Sequence, residues 1–524
     1  MTSSAVRAML AAGLLTVAAG LALIGGTAPA AGATVVTRGL PVNASAADAK
    51  DFSAHNSPVV TRHPTDPRML ALVNRVDAPV FSCAMHTSAD GGASWQARPI
   101  PFPAGEEQPE RCYAPDAGFG PDGTLYLFFV TLKGFGNTPN AGWTVSSTDL
   151  GQTFSVPRKA LGPLAFQARL AADPEQAGRL WLTWLQVGQV GTFAFPQPGN
   201  PILAARSDDG GATWSPPEQV SPPSRERVLA PSVAVAGDRL SVLYLDIGRD
   251  SLDYAGAHEG RGGEPYPGPW SLMLARSADA GATWSQTVVE DAVVPAQRFV
   301  VFIPPAPSLA VGGERVHVAF SDARLGDPDV RVWTSTDGGA SFGPGRRVND
   351  TPEGDGTAQY LPRLGLAPDG RLDVVYYDRR VDPDDANNEV SLQSSTDGGA
   401  SFGPRMLLSD RSFDARIGPG SERGLTDLGS GLGLVSGDER ALAVWTDTRA
   451  GTEASGKQDL ARAVVVFQPP SALRGALPWL AGLVAVAAVG LLSVRPRRRT
   501  AGRPAGRDRV TLQAASHAGG RDGS

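Results

Sequence analysis

The chain has 524 residues, of which 62 are Gly and 44 are Pro, and only 19% are charged; this composition fits a folded, turn-rich protein and excludes a disordered polyelectrolyte. Its formal charge of −6 averages unlike parts, because residues 495–524 hold eight Arg and two Asp and so leave −12 on residues 1–494. With Arg7 and Arg474 set aside, residues 34–468 carry −14, a field that repels nucleic acid and excludes it as a partner.

At the N-terminus, the apolar stretch 9–25 follows Arg7, and the small residues "AGA" (31–33) suit a cleavage site. Residues 1–33 therefore read as a secretory signal peptide, with an uncleaved anchor as the alternative. The next segment, "TVVTRGLPV" (34–42), reads as a strand.

From there one pattern recurs. Six turns, such as "TSADGGASW" (87–95) and "TSTDGGASF" (334–342), share an Asp at positions 90, 149, 209, 279, 337 and 397. The spacings of 59, 60, 70, 58 and 60 residues mark an array of one supersecondary unit. Before each turn lies a run with period-two alternation, as in "TLYLFFV" (124–130), "RLWLTWL" (179–185) and "RLDVVYY" (371–377). A further strand precedes many of these, such as "APSVAV" (230–235) and "LPRLGLA" (361–367). Four antiparallel strands every 60 residues or so describe a propeller blade. After Asp397 come the strands "SGLGLV" (430–435), "RALAVWT" (440–446) and "DLARAVVVF" (459–467), with no fourth. Residues 34–42 would supply it and remove an open edge. The fold class is thus all-β: a seven-bladed β-propeller over 34–468, with six blades as the alternative.

Beyond it, 469–475 reads as a juxtamembrane linker. The segment "ALPWLAGLVAVAAVGLLSV" (476–494) has no charge and as a helix would span about 28 Å, enough for the hydrocarbon core. "RPRRR" follows at once and places the tail, 495–524, in the cytoplasm. The sequence thus predicts a single-pass protein of the cell membrane, its propeller extracellular and probing outward as a monomer. Cys83 and Cys112 both fall in the exported part. A bridge would close a loop of about 29 residues, worth ~3 kcal/mol on the chain-entropy model; two free buried thiols are the alternative.

The turns resemble the Asp box, S/T-x-D-x-G-x-T/S-W/F, of the sialidase-like (neuraminidase repeat) β-propeller superfamily. Asp90, Asp149, Asp209, Asp279, Asp337 and Asp397 then read as structural staples, since six copies of one constellation cannot form one active site. The aromatic residues that close the motif, Trp95, Phe154, Trp214, Trp284, Phe342 and Phe402, would pack between blades. The resemblance implies glycan recognition and, by extension, a glycoside hydrolase of the exo-sialidase type. Its first substrate-binding Arg lies two residues before a Pro that opens an innermost strand. Here those positions are Asn56, Tyr113, Leu229, Pro305 and Tyr360, so no catalytic set carries over.

Candidate ligand residues come from the opposite face, the mouth. Several second strands end in Asp followed closely by Arg, "DAR" (322–324), "DRR" (378–380) and "DTR" (447–449). These predict either a repeated Arg–acid tie or a ring of Arg324, Arg379 and Arg449, joined by Tyr360, facing a polar ligand. The longest interval contains the insertion 246–270, whose Tyr254, Tyr266 and Trp270 suit stacking on sugar rings, although a mobile loop fits equally. "DRRVDPDDANN" (378–388) gathers Asp382, Asp384, Asp385 and Asn387; hard oxygen donors at that density suit Ca²⁺, against which stands a set of solvated Asx turns. No other cofactor is implied. Two readings result: a membrane-anchored propeller that recognises glycans, or a non-catalytic scaffold that binds a protein or cell-wall partner.

Overall fold

A computed structural model describes residues 32–468 except for 44–51, 107–109, 135–136, 190–195, 251, 253–265, 296–305, 383–385 and 420–427. The signal segment, the linker, the apolar stretch 476–494 and the basic tail lie outside the described residues. Among the described residues no helix is long and apolar enough to cross a membrane.

Seven sheets, each an antiparallel meander, follow one another along the chain. The innermost strands of blades one to six are His55–Arg62, Cys112–Phe119, Ala165–Ala172, Val228–Ala236, Ser308–Gly312 and Gln359–Leu366, and Gly433–Ser436 serves blade seven. Each packs against the innermost strand of the next blade, and the seventh returns to the first. The fold is a seven-bladed β-propeller.

Position in the blade explains each strand's composition. A second strand such as Leu125–Lys133 is buried along all but its last residue, because partners flank it within the sheet and neighbouring blades cover both faces. It therefore reads as a continuous apolar run. Several outer strands are short, as at Glu218–Gln219 and Arg346–Arg347, which leaves little edge there for another chain to pair with.

Blade seven is completed from the other end of the chain. Ala33–Pro41 pairs antiparallel with Asp459–Phe467, from Ala33 opposite Phe467 to Pro41 opposite Ala461. Thr37 Oγ1 accepts the Val464 amide at 2.9 Å, and Asn43 Oδ1 accepts that of Leu460 at 2.7 Å. A second tie lies near the axis, where the Ser430 amide donates to Ser57 Oγ at 3.0 Å. Cys83 and Cys112 are joined by a disulfide, Cα–Cα 5.6 Å, which links blade one to the innermost strand of blade two.

One irregularity positions the site. Five innermost strands slip register by one residue, between Asn56 and Val59, Tyr113 and Asp116, Phe166 and Arg169, Leu229 and Ser232, and Tyr360 and Arg363. Within each slip one residue takes a positive φ: Ser57, Ala114, Gln167, Ala230 or Leu361. These are β-bulges, and four of the five are followed by Pro, which has no amide to lose from the ladder. A bulge adds one residue to a period-two pattern, so it reassigns every side chain beyond it to the other face.

Candidate functional site

The two faces of the ring differ in construction. On one, each Asp turn joins a third strand to an outer strand. In blade five, Ser335 Oγ donates to Asp337 Oδ1 at 2.7 Å and accepts the Gly339 amide at 2.8 Å. Asp337 also accepts the Ser341 amide at 3.0 Å and hydroxyl at 2.6 Å. The same four bonds recur around Asp90, Asp149, Asp209, Asp279 and Asp397. Gly339 has φ 85°, and a Cβ there would lie 2.5 Å from Leu274 Cδ2 of the preceding blade. The closing aromatic docks on that preceding blade too: Trp214 on Tyr126 and Phe128, Phe402 on Val330 and Val332.

These bonds favour the ionised carboxylate. The hydroxyl four residues on is the chief cause for Asp149, Asp209 and Asp279, each held at about 2. For Asp90 and Asp397 burial pushes upward, but the hydrogen bonds outweigh it and the value is again about 2. The same bonds hold Asp337 well below the usual range. Both oxygens of each of these carboxylates are thus engaged within the turn, as a structural staple requires.

The other face carries the connections between blades and the loops after the second strands. There the Asp–Arg pattern forms ties within a blade. The Arg324 amide donates to Asp322 Oδ1 at 3.0 Å, and its guanidinium pairs with Asp322 and with Glu290 at 3.0 Å. Arg449 repeats this on Asp447, with amide and Nε donating to Oδ1 at 2.9 and 2.7 Å, and it also pairs with Asp410 and donates to the Gly39 carbonyl at 3.0 Å. In blade six the equivalent residue is Arg380, whose Nε donates to Asp378 Oδ2 at 2.7 Å. Arg379 points elsewhere: it is buried, donates to Asn388 Oδ1 at 3.0 Å and to Tyr360 Oη at 3.3 Å, and lies 5.0 Å over the Tyr360 ring. Tyr360 in turn donates to Asn388 Oδ1 at 2.9 Å. Arg324, Arg379 and Arg449 are thus each committed to partners on their own or an adjacent blade, with Arg324 and Arg449 forming the repeated tie and Arg379 serving Tyr360.

The insertion behaves similarly where it is described. Trp270 begins the third strand of blade four and is 4% exposed, with Nε1 donating to Asp250 Oδ2 at 3.0 Å. Tyr266 Oη accepts the Arg249 amide at 3.2 Å. Tyr254 lies outside the described residues. Asp382 Oδ2 closes its own turn by accepting the amides of Ala386 at 3.0 Å and Asn387 at 2.6 Å, and the Asn387 side chain at 2.8 Å. Asp384 and Asp385 lie outside the described residues, and among those described no cluster of three His, Cys, Asp or Glu side chains could hold a metal ion.

A different set converges on the axis. In blades two, three and six the residue that follows the bulge is Asp116, Arg169 and Arg363, and their charges act on one another. Arg169 and Arg363 line one cavity with Ser57, Ser308 and Ser430, so blades one, three, five, six and seven all contribute to it. The cavity sits at the mouth end of the innermost strands, because those strands begin on that face. Asp116 is buried, and its two oxygens accept the amides of Ala117 at 2.9 Å and Leu170 at 3.0 Å. Burial pushes the Asp116 carboxyl up, against the pull of Arg169 and Arg363. Burial and the charge of Arg169 together push the Arg363 guanidinium down. These groups stand one residue after the Pro position, not two before it. The signal for them was the aligned "APD", "QAR" and "LPR" of the innermost strands.

No family model matches the chain, and no curated protein matches it. Among solved structures it is similar to a Hadza microbial sialidase at 16% identity, covering 76% of this chain and 73% of that one with a TM-score of 0.40. It is also similar to an α-L-arabinanase from Penicillium chrysogenum complexed with arabinobiose, at 15% identity over 69% of this chain and 95% of that one, TM-score 0.39. An ulvan lyase bound to a GlcA–Rha3S unit shares 11% identity over 84% of this chain and 96% of that one, TM-score 0.44. These likenesses concern the propeller fold. The chemistry of the site rests on its own residues.

Proposed function

We propose that this chain is a cell-surface propeller that recognises a glycan at the mouth of its axial channel, anchored through 476–494 with the propeller outside. The observation that carries this reading is the cavity lined by guanidinium and hydroxyl groups from five blades, Arg169, Arg363, Ser57, Ser308 and Ser430 among them. Convergent polar groups in a concavity suit a hydroxyl-rich ligand, which needs paired donors and acceptors in fixed directions. Connections that differ from blade to blade surround the cavity, whereas the Asp-turn face repeats one self-satisfied motif.

Binding is favoured over hydrolysis. Glycoside hydrolysis commonly uses two carboxyl groups that flank the scissile bond, and among the described residues lining this cavity there is no carboxylate. Asp116, the acid nearest to it in charge, has both oxygens engaged by backbone amides. The test is an array of neutral and acidic glycans probed with the purified full chain, followed by incubation of any bound glycan with product analysis. Retention of a glycan without cleavage supports the reading. If no glycan is retained but a cell-wall protein is, a non-catalytic scaffold replaces it.

A further inference from the structure

Among the described residues, no group beside the axial cavity balances its charge. Two guanidinium groups and one carboxylate approach the axis from blades three, six and two. In a ring of seven, blades three and six stand nearly opposite, so Arg169 and Arg363 reach inward from facing sides. Their mutual repulsion is felt at Arg363, while Asp116 attracts both. Asp116 nevertheless spends its oxygens on Ala117 and Leu170. Neither guanidinium makes a hydrogen bond or ion pair to a described residue. Arginines elsewhere in the ring are treated differently: Arg371 is paired with Asp373 at 3.0 Å and donates to two carbonyls, and Arg347 is paired with Asp329 at 2.6 Å.

Among the described residues, two cations against one anion leave one positive charge in excess, and two planar forks of donors lack acceptors. Withdrawing an uncompensated charge from water is costly, and a fork of parallel N–H groups matches the two oxygens of a carboxylate. We propose that the axial cavity is an anion site in which Arg169 and Arg363 grip one carboxylate from opposite sides of the ring, with the hydroxyls of Ser57, Ser308 and Ser430 around it. The carboxylate arrives either on a free small anion or as a substituent of a glycan lying across the mouth. Only the second source rests on the glycan reading; the site itself does not. The innermost bulges are what make it: without the extra residue, alternation would turn the side chains of Arg169 and Arg363 into the blade interfaces.

The experiment is isothermal titration of the purified full chain with acetate, glucuronate and glucose at fixed ionic strength, alongside Arg169→Met, Arg363→Met and the double variant. Acetate and glucuronate are expected to bind saturably and glucose not to. Each single substitution weakens acetate by about tenfold or more, and the double substitution abolishes saturable binding. The melting temperature of Arg363→Met without added anion equals or exceeds that of the parent, because the excess charge is removed while Asp116 keeps Arg169, and a cooperative melt of the double variant shows that it is folded; this separates lost binding from lost folding. Wild-type protein that binds neither anion, or a folded double variant that binds acetate as the parent does, overturns the site. Acetate binding with no glycan retained on the array upholds the site and removes the glycan reading. Glycan retention unchanged in the double variant, with acetate binding lost, upholds the site as one for a free anion.

Discussion

The Asp-turn face and the mouth face are built from the same strands and solve opposite problems. On the turn face, each carboxylate accepts three recurring hydrogen bonds within seven residues of chain, and the solution is copied six times. On the mouth face the Asp–Arg ties are copied in part, but the groups at the axis are single: one Asp116, one Arg169, one Arg363. Repetition accompanies local satisfaction, and singularity accompanies unmet valence. In this ring, a charge that the fold leaves uncompensated points to function more directly than a charge that the sequence repeats.

The largest effect expected from the turn side is at Arg371, which is 5% exposed, pairs with Asp373 and donates to the carbonyls of Gly437 and Asp438 in blade seven. Arg371→Ala leaves Asp373 buried without its cation and costs about 3–5 kcal/mol in denaturant unfolding. Acetate affinity of the fraction that remains folded should be unchanged; a parallel loss of affinity would break the separation of the two faces. At the axis, Asp116→Ala strands the Leu170 amide and removes the attraction holding both guanidiniums, costing on the order of 2–3 kcal/mol by the same measurement. Here stability and acetate affinity should move in opposite directions, since the excess charge rises. A variant that loses both would reduce the cluster to a structural plug.

Smaller effects sharpen the contrast. Asp90→Ala and Asp397→Ala, in blades one and six, each lower the melting temperature by a few degrees, and the double variant shows their sum because the sites share no partner. Asp447 and the Asp-turn carboxylates also titrate with opposite sign. Burial pushes Asp447, at the mouth, up from 3.8 to about 6. Its contribution to stability is therefore complete below about pH 4 and is lost as pH rises through about 6. The Asp-turn carboxylates held at about 2 contribute stability that is complete above about pH 4 and lost as pH falls towards 2. Thermal unfolding from pH 7 to 2 should show a maximum between these limits. Asp447→Asn should flatten the slope between about pH 4 and 6 and leave the acid limb intact.

The blade array was legible in the sequence because each Asp turn and each apolar run is a local signal repeated in phase. Closure of blade seven by residues 34–42 was legible for the same reason, as a strand missing at one end and spare at the other. The axial cluster was not. Arg169 stands in a strand where Ala168 replaces the Pro that marks its counterparts, and Arg363 stands one residue after its Pro, whereas the resembled motif places its Arg two residues before. A positive φ at Gln167 and at Leu361 cannot be seen in a hydropathy pattern, and it is what swings the next residue to the axis. Likewise, "DRR" offers two adjacent guanidiniums, and only the structure shows that Arg380 makes the repeated tie while Arg379 serves Tyr360.

Closure has a temporal consequence. The strand Ala33–Pro41 is among the first folded residues to be synthesised, and its partner Asp459–Phe467 is the last strand of the ring. About 430 residues separate them, so at roughly 5–20 residues per second the early strand waits on the order of 20–90 s for its neighbour to exist. Blades one to six can form as the chain emerges, blades two to six packing their closing aromatics with the blade before, while Trp95 of blade one waits for blade seven. Blade seven cannot, and the ring stays an open arc until the oldest segment is recruited by the youngest. Maturation is therefore gated by a single long-range pairing, and a chain cut short before residue 459 would leave both ends of the arc exposed as free edges.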